Sequence, residues 1–407
     1  MTIAVGSEAA AGYRMSLRRV LGDEGFRVFF PLAALHLAIW PVLWTLVHGL
    51  DLPLARTMPA GLWHAQEMLI GGLGAALLGF MTTAVPEWTD TRRLQHGSLF
   101  GLAGLWGGAR LVGLFGADVL TPLAALLDGA WLCVLVVYLL TVSWRNRTTR
   151  LLAFAGWIAA LLLSALALRL AFWISDVALA QTITRVITLC WCGLLGLAIA
   201  RITVPVSNLV LDPSERTSPY RPHPGRLNLG AGLAAIAIAG ELLGLSPAVS
   251  GFLWIAAGAA FMDRVAEAFV GREMWRAEIL SLAGSSALTG AGLMLVGASR
   301  LGLPIAEMTG LHVVTMGGLG LGVLSVLCIA GLMHTGHTLP FGRLAKTALA
   351  VLVLGLVLRV APDLGWYTPP GPVHGMASLI WASAFLIWLK AYGPLIADQT
   401  TIGVAKC

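Results

Sequence analysis

Windows of about 20 mostly apolar residues, the length that carries a helix across a bilayer, fall at roughly 28–50, 67–86, 97–117, 120–143, 151–174, 182–206, 228–245, 248–270, 277–299, 309–332, 343–361 and 373–395. This pattern predicts an all-α polytopic membrane protein with twelve transmembrane helices in one membrane domain over 28–397. Residues 1–27 read as a cytoplasmic leader, because Met1 to Gly25 is polar, carries Arg14, Arg18 and Arg19, and leads into a segment long enough to span. Residues 398–407 read as a cytoplasmic tail. The longest polar stretch, 207–227, holds Asp212-Pro213, Ser218-Pro219 and Pro222-His223-Pro224-Gly225, turn chemistry that makes it the loop between the sixth and seventh helices.

Loop charges test the count, since an added or missed helix would flip every later loop. With the N-terminus inside, the cytoplasmic segments hold Arg14, Arg18, Arg19, Arg27, Arg92, Arg93, Arg145, Arg147, Arg150, Arg216, Arg221, Arg226, Arg272, Arg276, Arg343, Lys346, Lys390 and Lys406. The periplasmic side receives only Arg56, Arg300 and Arg359. The bias predicts an N-in, C-in orientation.

Composition agrees. The 407 residues are 58% hydrophobic and 11% charged, against about 25% charged in soluble domains. The net charge of +6 reflects the loop bias, and no basic stretch interleaved with aromatics suggests nucleic acid. The expected partner is the lipid bilayer; the sequence names no protein partner. Cys133, Cys190, Cys192, Cys328 and Cys407 are scattered and imply no disulfide framework.

Within this pattern one local arrangement recurs. His64, Met68 and Gly72 in the second segment match His312, Met316 and Gly320 in the tenth: His-x3-Met-x3-Gly. Helical spacing puts the three on one face. The glycines would admit either a neighbouring helix or a flat macrocycle, and the methionines read as packing residues or as thioether ligands. The offset of eight helices suits three groups of four better than two pseudo-repeated halves of six.

Ionisable side chains inside a bilayer default to a functional reading. By depth, His48, His64, His312 and His374 fall near periplasmic helix ends, with His36 deeper in the first helix. His96, His223, His334 and His337 lie at or beyond cytoplasmic ends. A rise of 1.5 Å per residue puts His312 and His334 roughly 30 Å apart, so one centre cannot use both. His48 reads as a solvated helix end and His374 as a ligand or a cap. His36 is either functional or a core histidine bonded to a carbonyl. A pair of neutral imidazoles at one depth points to an iron or copper centre. Arg110, Arg169 and Arg185 share that half of the membrane and suit an anionic group such as haem propionates, or else pair with Asp176 or Glu67 or snorkel to the surface. Arg264 is expected to snorkel or to pair with Glu267.

The run Trp63-His64-Ala65-Gln66-Glu67-Met68-Leu69, followed by Thr83-Ala84-Val85-Pro86-Glu87-Trp88-Thr89, resembles the WHAHEM and LTAVPNWTG signatures of the NnrS family. Phe26 to Leu35, Leu105 to Arg110, Arg201 to Asn208, His312 to Gly320, His334-Thr335-Gly336 and Trp381 to Pro394 continue the resemblance. It implies a twelve-helix bacterial inner-membrane protein that binds haem and copper and takes part in the nitric oxide response, with nitric oxide or a related small molecule as ligand. The chain departs from the family pattern in three places: Gln66 replaces the second histidine of WHAHEM, His337 replaces the arginine of GHTGR, and the ninth helix has no histidine. One haem b is therefore the expectation, with fewer donors left for copper. The resemblance makes His64, His312, Arg110, Met68, Met316 and Glu67 the candidate cofactor residues. His64 and His312 are the expected iron ligands, and His334, His36 and His374 are further metal candidates.

By fold analogy the arrangement is similar to the core subunit of haem-copper oxidases, twelve helices in three four-helix arcs with a haem between helices 2 and 10. The copper-binding histidine pair of those enzymes is missing. A transporter of a metal, haem or small nitrogen compound and a non-catalytic scaffold are the competing readings.

Overall fold

Each of the twelve apolar windows holds a helix in the computed structural model, which describes residues 15–49, 58–115, 118–368 and 374–403. The start of the leader, Arg14, Arg56 and the end of the tail lie outside the described residues, as does the side chain of His48. The long helices are α1 Gly25–Gly49, α2 Ala60–Thr89, α3 Gly97–Phe115, α4 Thr121–Arg145, α5 Leu152–Trp173, α6 Val177–Leu211, α7 Leu229–Leu242, α8 Pro247–Arg264, α9 Ala277–Arg300, α10 Glu307–Met333, α11 Arg343–Val360 and α12 Gly375–Ala397. No strand occurs among the described residues.

Among the described residues, nine of these helices are long and apolar enough to cross a membrane. The other three are α3, α7 and α11. Helix α7 is 14 residues long, about 21 Å at 1.5 Å per residue, and α11 carries Arg343, Lys346 and Arg359. Helix α6 runs on to Leu211, past the expected start of the loop, because Asn208 side-chain oxygen accepts Tyr220 N–H (2.8 Å) and folds the loop back on its last turn. Beyond it, hydrogen bonds from Ser214 and Thr217 hold the Asp212 carboxyl down at about 2.

Local chemistry sets several helix starts. Asp176 caps α6 by accepting Leu179 N–H (2.9 Å), and Ser246 caps α8 by accepting Val249 N–H (3.4 Å) ahead of Pro247.

Consecutive helices pack as neighbours, and α12 returns to α1 and closes the ring. Three helices sit deepest: 89% of the most apolar stretch of α2, 83% of that of α6 and 72% of that of α10 is buried, against 33–56% for the other six. They are four apart in the chain. Small residues bring α10 inward: a Cβ on Gly292 would meet Gly310 O at 2.8 Å, and one on Gly310 would meet Gly292 O at 2.9 Å. Both glycines are therefore fixed by close approach of α9 and α10, directly ahead of His312.

Candidate functional site

Helices α2 and α10 share more than a sequence pattern. In α2 an α-helical start, Ala60–Gln66, passes into a π-helical segment, Glu67–Gly72, before α-helix resumes at Leu73. In α10 the order is Glu307–His312, then π-helix over Val313–Gly320, then α-helix from Leu321. Both π segments begin within three residues of the histidine. Such widened turns cost regular hydrogen bonding and concentrate at functional sites.

At the same end of the bundle, His64, His312 and His374 come together. His312 and His374 are close enough to act electrostatically on His64, and Arg359 acts on both His64 and His312. The Trp44 ring lies 4.8 Å from that of His64 and 5.6 Å from that of His374, centroid to centroid. His64 Nδ1 is buried with no hydrogen-bond partner among the described residues. His312 Nδ1 lies 2.9 Å from Met308 O, so Nδ1 carries the proton and Nε2 keeps its lone pair. That is the arrangement in which a histidine ligates a metal. Arg359 is held by Asp363 (2.9 Å), which also accepts the Thr309 hydroxyl of α10 (2.9 Å).

One turn below His64 lies a second, separate constellation. Arg110 Nη1 donates to Glu67 (2.7 Å) and its Nη2 to Asp128. Arg169 donates to Asp128 from Nε (3.1 Å) and Nη2 (2.8 Å) and lies 3.6 Å from Glu67. Gln66 and Trp131 each add a donor to Asp128 at 3.3 Å. Two carboxylates and two guanidinium groups balance in the protein interior, where an unpaired charge is untenable. Asp128, not Asp176, is the partner that occupies these arginines.

His36 belongs to this lower group. Its Nε2 is 3.0 Å from Glu67 O and its ring stacks on Trp40, the carbonyl-bonded reading of the two open to it. Arg185 is elsewhere, paired with Glu241 at 3.0 Å beside Arg300. Arg264 pairs with Glu267 (3.4 Å) and donates to Gly196 O (2.9 Å).

The methionines and glycines of the shared pattern are packed by neighbours. Met68 lies against Trp40 and Trp63, and Met316 among Val313, Leu356 and Val360. A Cβ on Gly72 would strike Leu37 and one on Gly320 would strike Trp381. Those glycines seat α1 and α12; helix packing is the reading the structure takes.

His334 stands apart, at the opposite end of α10, 2.9 Å from Glu24. Between α2, α6 and α10 is an apolar cavity with about 60 Å³ of free volume, bordered by Leu77, Phe80, Trp191, Leu195, Leu319 and Val326. Sequence reading missed Trp44 and Arg359 as neighbours of the histidines. Trp44 was one of fifteen tryptophans, and Arg359 counted only as a loop charge.

The family described as NnrS protein matches residues 20–399. No curated protein matches the chain.

Proposed function

The chain belongs to the NnrS family, and from that premise we propose that it is a haem-binding membrane protein of the nitric oxide response, with iron held by His64 and His312. One observation carries the reading. Two imidazoles enter from helices with the same α–π–α backbone; one has a buried nitrogen with no hydrogen-bond partner among the described residues, and the other has its ligating nitrogen set by a backbone carbonyl. This donor chemistry fits a bis-imidazole iron, and bound haem would supply redox and nitric oxide chemistry there.

The chain's own residues do the rest. His312 is oriented by Met308 O, Trp44 covers the His64 ring, and Arg359 is the cation whose field reaches both imidazoles and suits an anionic edge. The apolar cavity admits a small uncharged molecule such as nitric oxide in preference to water or ions. Burial of α2, α6 and α10, spaced four apart, supports twelve helices in three four-helix arcs, oriented N-in and C-in by loop charge. Gln66, which stands where the family has a second histidine, donates to Asp128 (3.3 Å) and adds no imidazole beside His64 for copper.

The test is a reduced-minus-oxidised spectrum of the purified protein. Haem b bands are expected in the wild type and are lost in His64→Ala/His312→Ala with the fold retained. Absence of bands in a wild type supplied with haem, or unchanged bands in the double variant, overturns the proposal.

A further inference from the structure

At the end of the bundle away from His64, three potential ligands meet. His334 Nδ1 lies 2.9 Å from Glu24 Oε1 and 3.4 Å from Glu87 Oε1, and one ligand atom from each residue lies within 4.8 Å of the other two. The residues come from three places in the chain: the turn before α1, the last turns of α2 and the C-terminal cap of α10. Close packing builds the meeting point. A Cβ on Gly25 would strike Thr82, and Phe26 N–H donates to the Thr83 hydroxyl at 2.8 Å, one turn before Glu87. Glu24 is fully buried and His334 is 9% exposed.

We infer that Glu24, Glu87 and His334 form a site for a divalent first-row cation, distinct from the proposed iron between His64 and His312. The separations fit the chemistry. Ligands about 2.1 Å from a metal sit about 3.0 Å apart at right angles and about 3.4 Å apart at the tetrahedral angle, and His334 is 2.9 and 3.4 Å from the two carboxylates. One imidazole with two carboxylates is a borderline-to-hard donor set that suits Zn²⁺ or Fe²⁺ rather than copper(I). Arg93 Nη1 stands 3.5 Å from Glu24 Oε2, the other oxygen of the ligating carboxylate, where it orients that carboxylate from outside the site. Three protein donors leave further positions open for water or a substrate oxygen.

The experiment uses the full-length chain in detergent, stripped with chelator and dialysed against Zn²⁺, with bound zinc counted per chain. One saturable Zn²⁺ is expected in the wild type and equally in His64→Ala/His312→Ala, so the result stands apart from the haem proposal. Glu87→Gln and His334→Gln each weaken binding more than tenfold. Glu87 has the most exposed side chain of the three, at 20%, so its variant keeps the wild-type melting temperature without metal but loses the rise that Zn²⁺ gives the wild type. Glu87→Gln decides alone should His334→Gln fail to fold. Wild-type affinity in Glu87→Gln, or no saturable zinc in the wild type, reduces the cluster to an ion pair and overturns the inference.

Discussion

After His64, α2 turns Glu67 toward Arg110 and Arg169 and, through them, to Asp128; after His312, α10 turns Val314, Gly317 and Gly318 onto α9 and α11, with the Ser285 hydroxyl on Gly318 O (2.7 Å) as a polar tie. The same His-x3-Met-x3-Gly pattern and the same π-helical turn are thus held by opposite means, ions on one side and close apolar contact on the other. A buried ion network resists displacement because any shift leaves a charge unpaired. Close packing resists through overlap alone. The pair teaches that the histidine and the widened turn are the shared device, and that the surroundings decide how firmly each imidazole is placed.

The sharpest break in the comparison is Asp128→Asn. It removes the charge that balances Arg110 and Arg169, and breaking a buried pair costs about 3–5 kcal/mol. Thermal unfolding in detergent is expected to show a large drop, whereas Ser285→Ala, the α10 counterpart, costs about 1 kcal/mol. Equal effects would mean that the ions do not anchor α2. Next in size is Gly318→Val. Its Cβ would strike the Thr289 hydroxyl and lie 2.9 Å from Thr289 Cα, overpacking of about 1–3 kcal/mol. Because α10 must move to relieve it, haem bands are expected to weaken along with stability.

The single histidine variants then separate the two helices. Both His64→Ala and His312→Ala are expected to lose the haem bands. In the haem-free protein His312→Ala loses the hydrogen bond to Met308 O and about 1 kcal/mol. His64→Ala gives up its contact with the Trp44 ring but no hydrogen bond from Nδ1 among the described residues, so it is expected to cost less than His312→Ala by the worth of that hydrogen bond, about 1 kcal/mol. Equal losses in the two variants would show that His64 has a partner in solution.

Much of this was legible in the chain. Hydropathy located the twelve long helices but not the short one at Leu17–Leu21, and the paired motif picked out α2 and α10, because period and repeat are local properties of sequence. What it missed is tertiary. Asp128, in Leu-Leu-Asp-Gly-Ala-Trp, has no charged neighbour in sequence, and its partners Arg110 and Arg169 come from α3 and α5. The π segments carry no proline or other local mark that sets them apart from ordinary glycine-containing helix. Glu24 falls in the predicted leader and Glu87 just past the predicted second window, far apart in sequence, and the Gly25 crossing on Thr82 joins them to His334.

The smallest expected effect concerns the methionines, which the pattern couples to the histidines at i+4. Were they ligands, Met68→Leu and Met316→Leu would each shift the haem bands and the reduction potential, because a thioether on iron raises the potential. The packing says otherwise. Met68 fills the space beside Trp40 and Trp63, and Met316 fills the space between Val313, Leu356 and Val360. Leucine nearly conserves the volume, so each change costs under about 1.5 kcal/mol and leaves the bands and potential of the wild type. A shift confined to Met316→Leu would be the most telling exception. The ion pairs of α10 lie at its start, where Glu307 meets Arg300 (3.1 Å), and its π segment Val313–Gly320 carries no charged residue, so a repacked Val313 and Leu356 would be felt at His312 first, while α2 kept His64 in place.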